Sequence, residues 1–268
     1  MNKQGTLING KVVGGIEWTK TVLPDGTERQ GYTWNPVGGC RHGCRWEMPD
    51  GAIARCYAEA VAEGVARQAY PQGFTSHYWH PQRLDEPSKV TDPSRIFLDS
   101  MSDLMGTWVP QSQVRAVLDQ VAYCHWHDFQ LLTKAPARLL KFGEKFPENL
   151  WIGVSMPPTF MMGVRLSPSQ QERYMKRTMD VFEVLRRKRP NNVLWLSLEP
   201  LSFDVAPLLR PVVDWLVIGA ATNGRKAYQP DKAHVENVLS FAAHHDVPVF
   251  FKGNLDWSPW REDFPTRR

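Results

Sequence analysis

Six short apolar runs recur along the chain, at 95–98, 129–132, 150–154, 193–196, 215–218 and 247–251. Each is long enough for one buried strand, and each is separated from the next by polar residues or by a helix-like segment. Strand–helix alternation repeated in this way predicts a parallel sheet with crossover helices. Six or seven such units fall short of the eight of a closed barrel. The expected fold class is therefore α/β, a partial (β/α) barrel of about six or seven parallel strands, with an open doubly wound sheet as the alternative.

The helices between the runs carry their own signals. Ser167-Pro168-Ser169-Gln170 reads as a capped helix start with Pro at the first position. The helix after it places Met175, Met179, Phe182 and Leu185 on one face. It ends in Arg186, Arg187, Lys188 and Arg189 before Pro190. Cations there complement the helix dipole, which outweighs a phosphate-contacting reading. Further helices are expected over 114–123 and 57–70. No repeat and no low-complexity linker divides the chain, so 1–268 is expected to be one domain. Near the start, Asp25-Gly26 between β-prone segments predicts a β-hairpin over 16–34, an insertion ahead of a loop at 35–59.

That loop holds the sharpest chemical signal, Cys40-x3-Cys44-x11-Cys56. Met1 to Gly10 lack an apolar stretch of signal-peptide length, and no stretch approaches a membrane span. The expectation is a cytoplasmic protein with no membrane partner, where clustered cysteines read as metal or redox chemistry before disulfides. Thiolates bind soft metals and iron–sulfur clusters. Three of them on a four-iron cluster leave one iron open. Zinc prefers four closed ligands, and the available fourth ligands are His42 inside the loop or the distant Cys124. The spacing of Cys40, His42 and Cys44 is cramped for zinc, and Cys124 reads as a buried thiol at a helix end. The remaining alternative is free cysteines in a loop.

Active sites of parallel α/β sheets form at the carboxyl ends of the strands. Just past the apolar runs stand Asp99 to Asp103, Thr133-Lys134, Ser155, Ser197 with Glu199, the segment 219–224 and Lys252. Each has a plain structural reading: Asp99 or Asp103 as a helix cap, Ser155 satisfying the backbone, Lys134 at the surface. Glu199 is harder to dismiss, because a lone buried carboxylate is costly without a partner. Lys134 or Lys252 can be that partner.

Taken in order, the chain resembles a phage-associated, radical-S-adenosylmethionine-like three-cysteine family of largely uncharacterised function. The resemblance runs from Glu17-Trp18-Thr19 through Trp34-Asn35-Pro36, Gly39-Cys40, Gly43-Cys44 and Cys56-Tyr57. It continues through Ser100-Met101-Ser102-Asp103, Leu132-Thr133-Lys134, Gly153-Val154-Ser155, Ser197-Leu198-Glu199-Pro200 and Phe250-Phe251-Lys252. The chain departs from the family's pattern in residues 20–32, in the eleven-residue spacer between Cys44 and Cys56, and in Gly219 to Asn223, which lack the family's acidic residue. The resemblance implies a [4Fe-4S] cluster on Cys40, Cys44 and Cys56, with the open iron chelating S-adenosylmethionine. One electron from an external donor then cleaves the sulfonium bond, giving a 5′-deoxyadenosyl radical that takes hydrogen from a substrate. It also implies cofactor or substrate contacts at Ser102, Asp103, Ser155 and Glu199, with Lys134 and Lys252 as further candidates; Thr133 and Asn223, read from their places past the strands, complete the expected set.

The substrate is unknown. The net charge of +4 and pI near 8.9 permit a nucleotide or nucleic acid. The competing reading is a non-enzymatic nucleic-acid-binding or interaction protein stabilised by zinc or a cluster. A cluster protein that only carries electrons is a third.

Overall fold

The computed structural model describes residues 1–266. Its centre is an eight-stranded sheet: β1 (Asn2–Lys3), β2 (Tyr32–Trp34), β3 (Arg95–Leu98), β4 (Asp128–Thr133), β5 (Leu150–Ser155), β6 (Leu194–Leu198), β7 (Trp215–Ile218) and β8 (Val249–Phe251). Seven strands, β2 to β8, run parallel and neighbour one another in chain order, and β1 pairs antiparallel on β2. A doubly wound sheet reverses its strand order at a switch point. This one never reverses, so all of its connections wind the same way along the sheet, as in a barrel. β1 and β8 are not paired with each other, so the barrel is partial.

The period of two along each strand divides the side chains between two faces. Leu131, Ile152, Val154, Leu194, Leu196, Leu216 and Ile218 face the helices in one aliphatic core. The helices are α1 (Tyr57–Glu63), α2 (Gln111–Tyr123), α3 (Pro136–Leu139), α4 (Pro168–Lys188) and α5 (Lys232–His244). α2, α4 and α5 supply Val117, Val121, Phe182, Leu185, Val235 and Val238 to that core. α4 begins with the expected capping box: the Ser167 hydroxyl accepts from Gln170 N, and the Gln170 side chain accepts from Ser167 N. Its basic end is structural. Arg186 donates to the Pro190, Asn192 and Val212 carbonyls and to Asp214, and Arg189 donates to the Gly143 carbonyl.

The other face forms the lumen. Phe97, Trp151, Trp195, Trp215, Val217 and Phe250 fill its floor with Trp18. Gly153 is required there, because any Cβ would run into the Trp195 indole.

Several elements differ from expectation. The hairpin at the N-terminus is shorter than 16–34: Thr21–Val22 pairs with Glu28–Arg29 about the Asp25-Gly26 turn, whereas Tyr32–Trp34 is a strand of the main sheet. Parallel pairing with β3 buries Thr33 and Trp34, which a solvent hairpin does not. The helix expected over 57–70 stops at Gly64, which bonds back to the Ala60 carbonyl, and a separate 3-10 turn follows at Arg67–Ala69. Glycine ends helices readily. The connection from β6 to β7 holds only a 3-10 turn, Ala206–Leu208, in place of a helix. Among the described residues, no helix is long and apolar enough to cross a membrane.

Candidate active site

A cavity of about 560 Å³ opens at the carboxyl ends of the parallel strands. Strand parity accounts for much of its wall. Two residues beyond Phe97 comes Asp99, two beyond Leu132 comes Lys134, two beyond Gly153 comes Ser155, and two beyond Phe250 comes Lys252. On β6 the step from Trp195 gives Ser197 and then Glu199. All of these line the cavity.

Cys40, Cys44 and Cys56 line the same cavity, and the local structure explains how a long spacer brings them there. Arg45–Glu47 and Ile53–Arg55 form an antiparallel hairpin in which Arg45 stands opposite Arg55. Cys44 and Cys56 are the residues immediately outside that pair, so both sit at the base of the hairpin. Opposed residues of antiparallel strands lie about 4.5–5.5 Å apart at Cα, so the eleven intervening residues add almost no distance. Arg45 reinforces the base by donating to the Cys44 carbonyl (2.8 Å) and, in a bidentate pair, to Glu59 of α1. Cys56 occupies the N-cap position of α1.

Cys40 is fixed from the other side. Gly39 N donates to the Met101 carbonyl (3.0 Å), Cys40 N to the Phe74 carbonyl (2.8 Å) and Ser102 Oγ to the Gly39 carbonyl (2.7 Å). Gly39 has φ of 81°, and a Cβ there would collide with the Ser76 carbonyl.

Asp103 ties the loop to the sheet. Its Oδ1 accepts from Thr133 Oγ1 (2.7 Å) and Met105 N (2.9 Å). Its Oδ2 bonds His42 Nε2 (2.7 Å) and accepts from Lys134 N (2.8 Å). Burial opposes the charge on this carboxylate, but the His42 contact and the other donors more than offset it and hold its pKa below the usual value. With two partners on each oxygen, Asp103 and its partner Thr133 position the cysteine loop and the β4 terminus. A direct ligand contact, as expected from sequence, would compete with these bonds. Ser102 likewise commits its hydroxyl to the loop.

Asn223 does not reach the cavity. It lies exposed in a hairpin formed by Ala221–Asn223 and Lys226–Tyr228, and only Ala221 and Thr222 of that strand line the wall. The hairpin carries the chain away from the strand end. Glu199 finds its partner in Lys252, whose Nζ donates to Oε2 at 3.2 Å. Burial pushes the Glu199 carboxyl up, and Lys252 draws it back down.

Cys44 is buried and Cys40 and Cys56 are half-buried, all three near enough to one another and to Lys134 to interact electrostatically. Burial, with Asp103 and the neighbouring cysteines, pushes Cys40 strongly up, and burial pushes Cys44 up to about 11. The Lys134 ammonium is itself disfavoured by burial but favoured by Asp103 and by the cysteines as they ionise to thiolates. Among the described residues, no group of three or more His, Cys, Asp or Glu is gathered tightly enough to hold a single metal ion. Cys124 cannot complete a four-cysteine site, being buried in the helix-side core with Gln120 donating to its sulfur. His42 Nε2 is engaged by Asp103. Three cysteines on one cavity wall near an ammonium match in number and charge a cluster that takes three protein thiolates.

Residues lining this cavity beyond the contacts expected from sequence include Trp18, His42, Asp99 and Ser197, the last two already placed at strand ends by the sequence. The parity of Trp195, Ser197 and Glu199 on β6 and of Phe97 and Asp99 on β3 was the available signal for two of them. Asp99 has φ of 55°, accepts from Val37 N (3.1 Å) and is pushed well above the carboxylate range by burial.

A sequentially wound partial α/β barrel with a three-cysteine loop at its strand ends is the class of protein that this fold and site define. The chain belongs to the family described as "Protein of unknown function (DUF5131)", which matches residues 14–266. No curated protein matches it. Among solved structures, a cysteine-to-serine mutant of spore photoproduct lyase superposes with TM-score 0.51 at 8% identity, covering 83% of this chain and 76% of that one. The lyase complexed with dinucleoside spore photoproduct gives 0.46 at 9% identity and 85% coverage of this chain. A double mutant of the lyase with bound AdoMet and dinucleoside spore photoproduct gives 0.44 at 9% identity, again with 85% coverage of this chain. The chain spans 64% of the length of each of these last two. At such identities the likeness is one of fold.

Proposed function

We propose that the chain is an iron–sulfur enzyme of the radical S-adenosylmethionine type that acts on a nucleotide or nucleic-acid substrate. The observation that carries this reading is the hairpin that brings Cys44 and Cys56 together, on the same wall of the strand-end cavity as Cys40. When bound, a four-iron cluster supplies one-electron reduction of the sulfonium of S-adenosylmethionine, drawing on an external electron donor.

The chain's own residues do the rest. Cys40, Cys44 and Cys56 hold the cluster. Because burial keeps protons on Cys40 and Cys44, loading releases protons and is favoured by higher pH. Lys134 supplies compensating positive charge beside them. Asp103 and Ser102 hold the loop in register with β3 and β4. Ser155, Ser197, Glu199 and Lys252 offer polar groups to ligands, while the indole-filled floor closes the lumen to water from below. The cavity volume falls in the ~300–1,000 Å³ range of small-molecule sites. The excess of Lys and Arg over Asp and Glu, 32 against 28, is compatible with an anionic substrate.

The test is anaerobic reconstitution with iron and sulfide. The expected product is brown protein with about four irons per chain. With dithionite and S-adenosylmethionine it yields 5′-deoxyadenosine, and Cys44→Ala abolishes both colour and product. Colourless protein with about one zinc per chain, or equal behaviour of wild type and mutant, overturns the reading.

A further inference from the structure

Two hairpins stand over the strand ends. The cysteine hairpin, Arg45–Glu47 with Ile53–Arg55, follows β2, and the hairpin of Ala221–Asn223 with Lys226–Tyr228 follows β7, five places away in the sheet. Both line the cavity, the first through Trp46, Met48, Ala54 and Arg55, the second through Ala221 and Thr222. Ala221–Asn223 lies beside Ile53–Arg55. The hairpins therefore join the two sides of the partial barrel at the level of the cavity and complete its wall there.

One carboxylate fastens the joint. Asp50 sits in the turn of the cysteine hairpin, where its Oδ1 accepts from Ala52 N (3.1 Å) and so fixes the side chain. Its Oδ2 accepts from Lys226 Nζ (2.6 Å) and Tyr228 Oη (2.8 Å) on the other hairpin. Lys226 also lies over the Tyr228 ring, 4.5 Å from its centroid. Little else holds the 221–228 hairpin down. None of the described core residues comes from it, and all of it but Ala221 and Tyr228 is exposed. Its base is anchored separately: Ala220 N donates to Asn254 Oδ1 (3.2 Å), and Gln229 Nε2 donates to the Asn254 carbonyl (3.0 Å). A hairpin anchored at its base, exposed along its length and fastened to the facing wall through one carboxylate has the construction of a flap.

The fastening is reversible by its nature. The Asp50 and Lys226 side chains are 42% and 61% exposed. Exposed ion pairs add little to stability and are screened by salt, so this one can part without unfolding the barrel. Lys226 holds the Asp50 carboxyl down at about 2, and Asp50 holds the Lys226 ammonium up. The clasp therefore stays charged near neutral pH and yields to salt.

We propose that the 221–228 hairpin is a gate to the cavity. Release of Asp50 from Lys226 and Tyr228 frees it to swing on its base and admit a ligand, and the re-formed clasp encloses that ligand. That the ligand is a nucleotide or S-adenosylmethionine rests on the function proposed above, whereas the gate does not.

The test reads access to the cavity thiols in the full-length, metal-free protein, so it depends on neither cluster loading nor turnover. The probe is N-phenylmaleimide, uncharged and bulky, with each labelled cysteine located by peptide mass. Cys40, Cys44 and Cys56 line the cavity, whereas Cys124 lies in the helix-side core and reports general unfolding. Asp50→Asn and, from the other side of the clasp, Lys226→Met are each expected to speed labelling of the three cavity cysteines about two- to fivefold and to leave Cys124 unchanged. Salt at about 0.5 M is expected to speed the wild type similarly and to leave both variants unchanged. Wild-type labelling rates at the cavity cysteines of either variant, or Cys124 accelerating along with them, overturn the proposal. If the variants do not fold, the salt response of the wild type decides alone. Absence of 5′-deoxyadenosine in the earlier experiment, with this labelling pattern intact, sinks the radical chemistry and leaves the gate standing.

Discussion

The two faces of the central sheet are built from the same strands but to different rules. On the helix side, Leu, Ile and Val interdigitate with α2, α4 and α5, and every position serves burial. On the lumen side, a floor of tryptophans gives way within one strand step to serines, lysines and carboxylates. The helix face is replaceable by any aliphatic set of similar volume. The lumen face is not, because its lower half is a cluster of rings packed edge to face and at a tilt. Trp215 lies 5.5 Å from Trp151 and 5.3 Å from Trp195, centroid to centroid. The difference shows that stability and chemistry share strands while occupying alternate residues.

The comparison can be broken first on the helix side. Phe182, fully buried on α4, is expected to cost about 3–5 kcal/mol when truncated in Phe182→Ala, measured by urea unfolding. A loss under about 1 kcal/mol would mean that α4 is not held by its apolar face.

A smaller effect probes the lumen floor. Gly153→Ala adds one methyl where the Trp195 ring lies, and overpacking of this kind is expected to cost about 1–3 kcal/mol. The same change should shift the tryptophan emission spectrum, since it displaces an indole. An unchanged spectrum and midpoint would show that the floor is loosely packed.

The smallest effect on stability is expected at the mouth. Ser155→Ala and Ser197→Ala, both buried, should change the unfolding free energy by about 1 kcal/mol or less, while weakening S-adenosylmethionine or nucleoside binding in dialysis. Destabilisation comparable to Phe182→Ala would place these serines with the core and blur the division between the faces.

Much of this arrangement was legible. The apolar runs announced β3 to β8 because parallel strands buried on both faces must be apolar almost throughout. The capping box at Ser167 announced α4 because its signals are local. The strand-end polar residues announced the cavity, and nearly all of them line it. Less legible were the facts that depend on distant partners. Tyr32–Trp34 looks like half of a hairpin until β3 pairs with it. Asp103 looks like a ligand until its four hydrogen-bond partners are counted, and Asn223 looks like a strand-end residue until the 221–228 hairpin turns it out to solvent.

The sequence by itself determined the alternation of strands and helices and the presence of three thiols in one loop, because both follow from neighbours along the chain. The hairpin after Cys44 turns at Asp50-Gly51, a local signal as well. Only the tertiary structure decided that Lys252 is the partner of Glu199 and that Trp18 enters the cavity wall. Those outcomes depend on pairing and packing between segments that the chain's order leaves far apart, and no local preference encodes them.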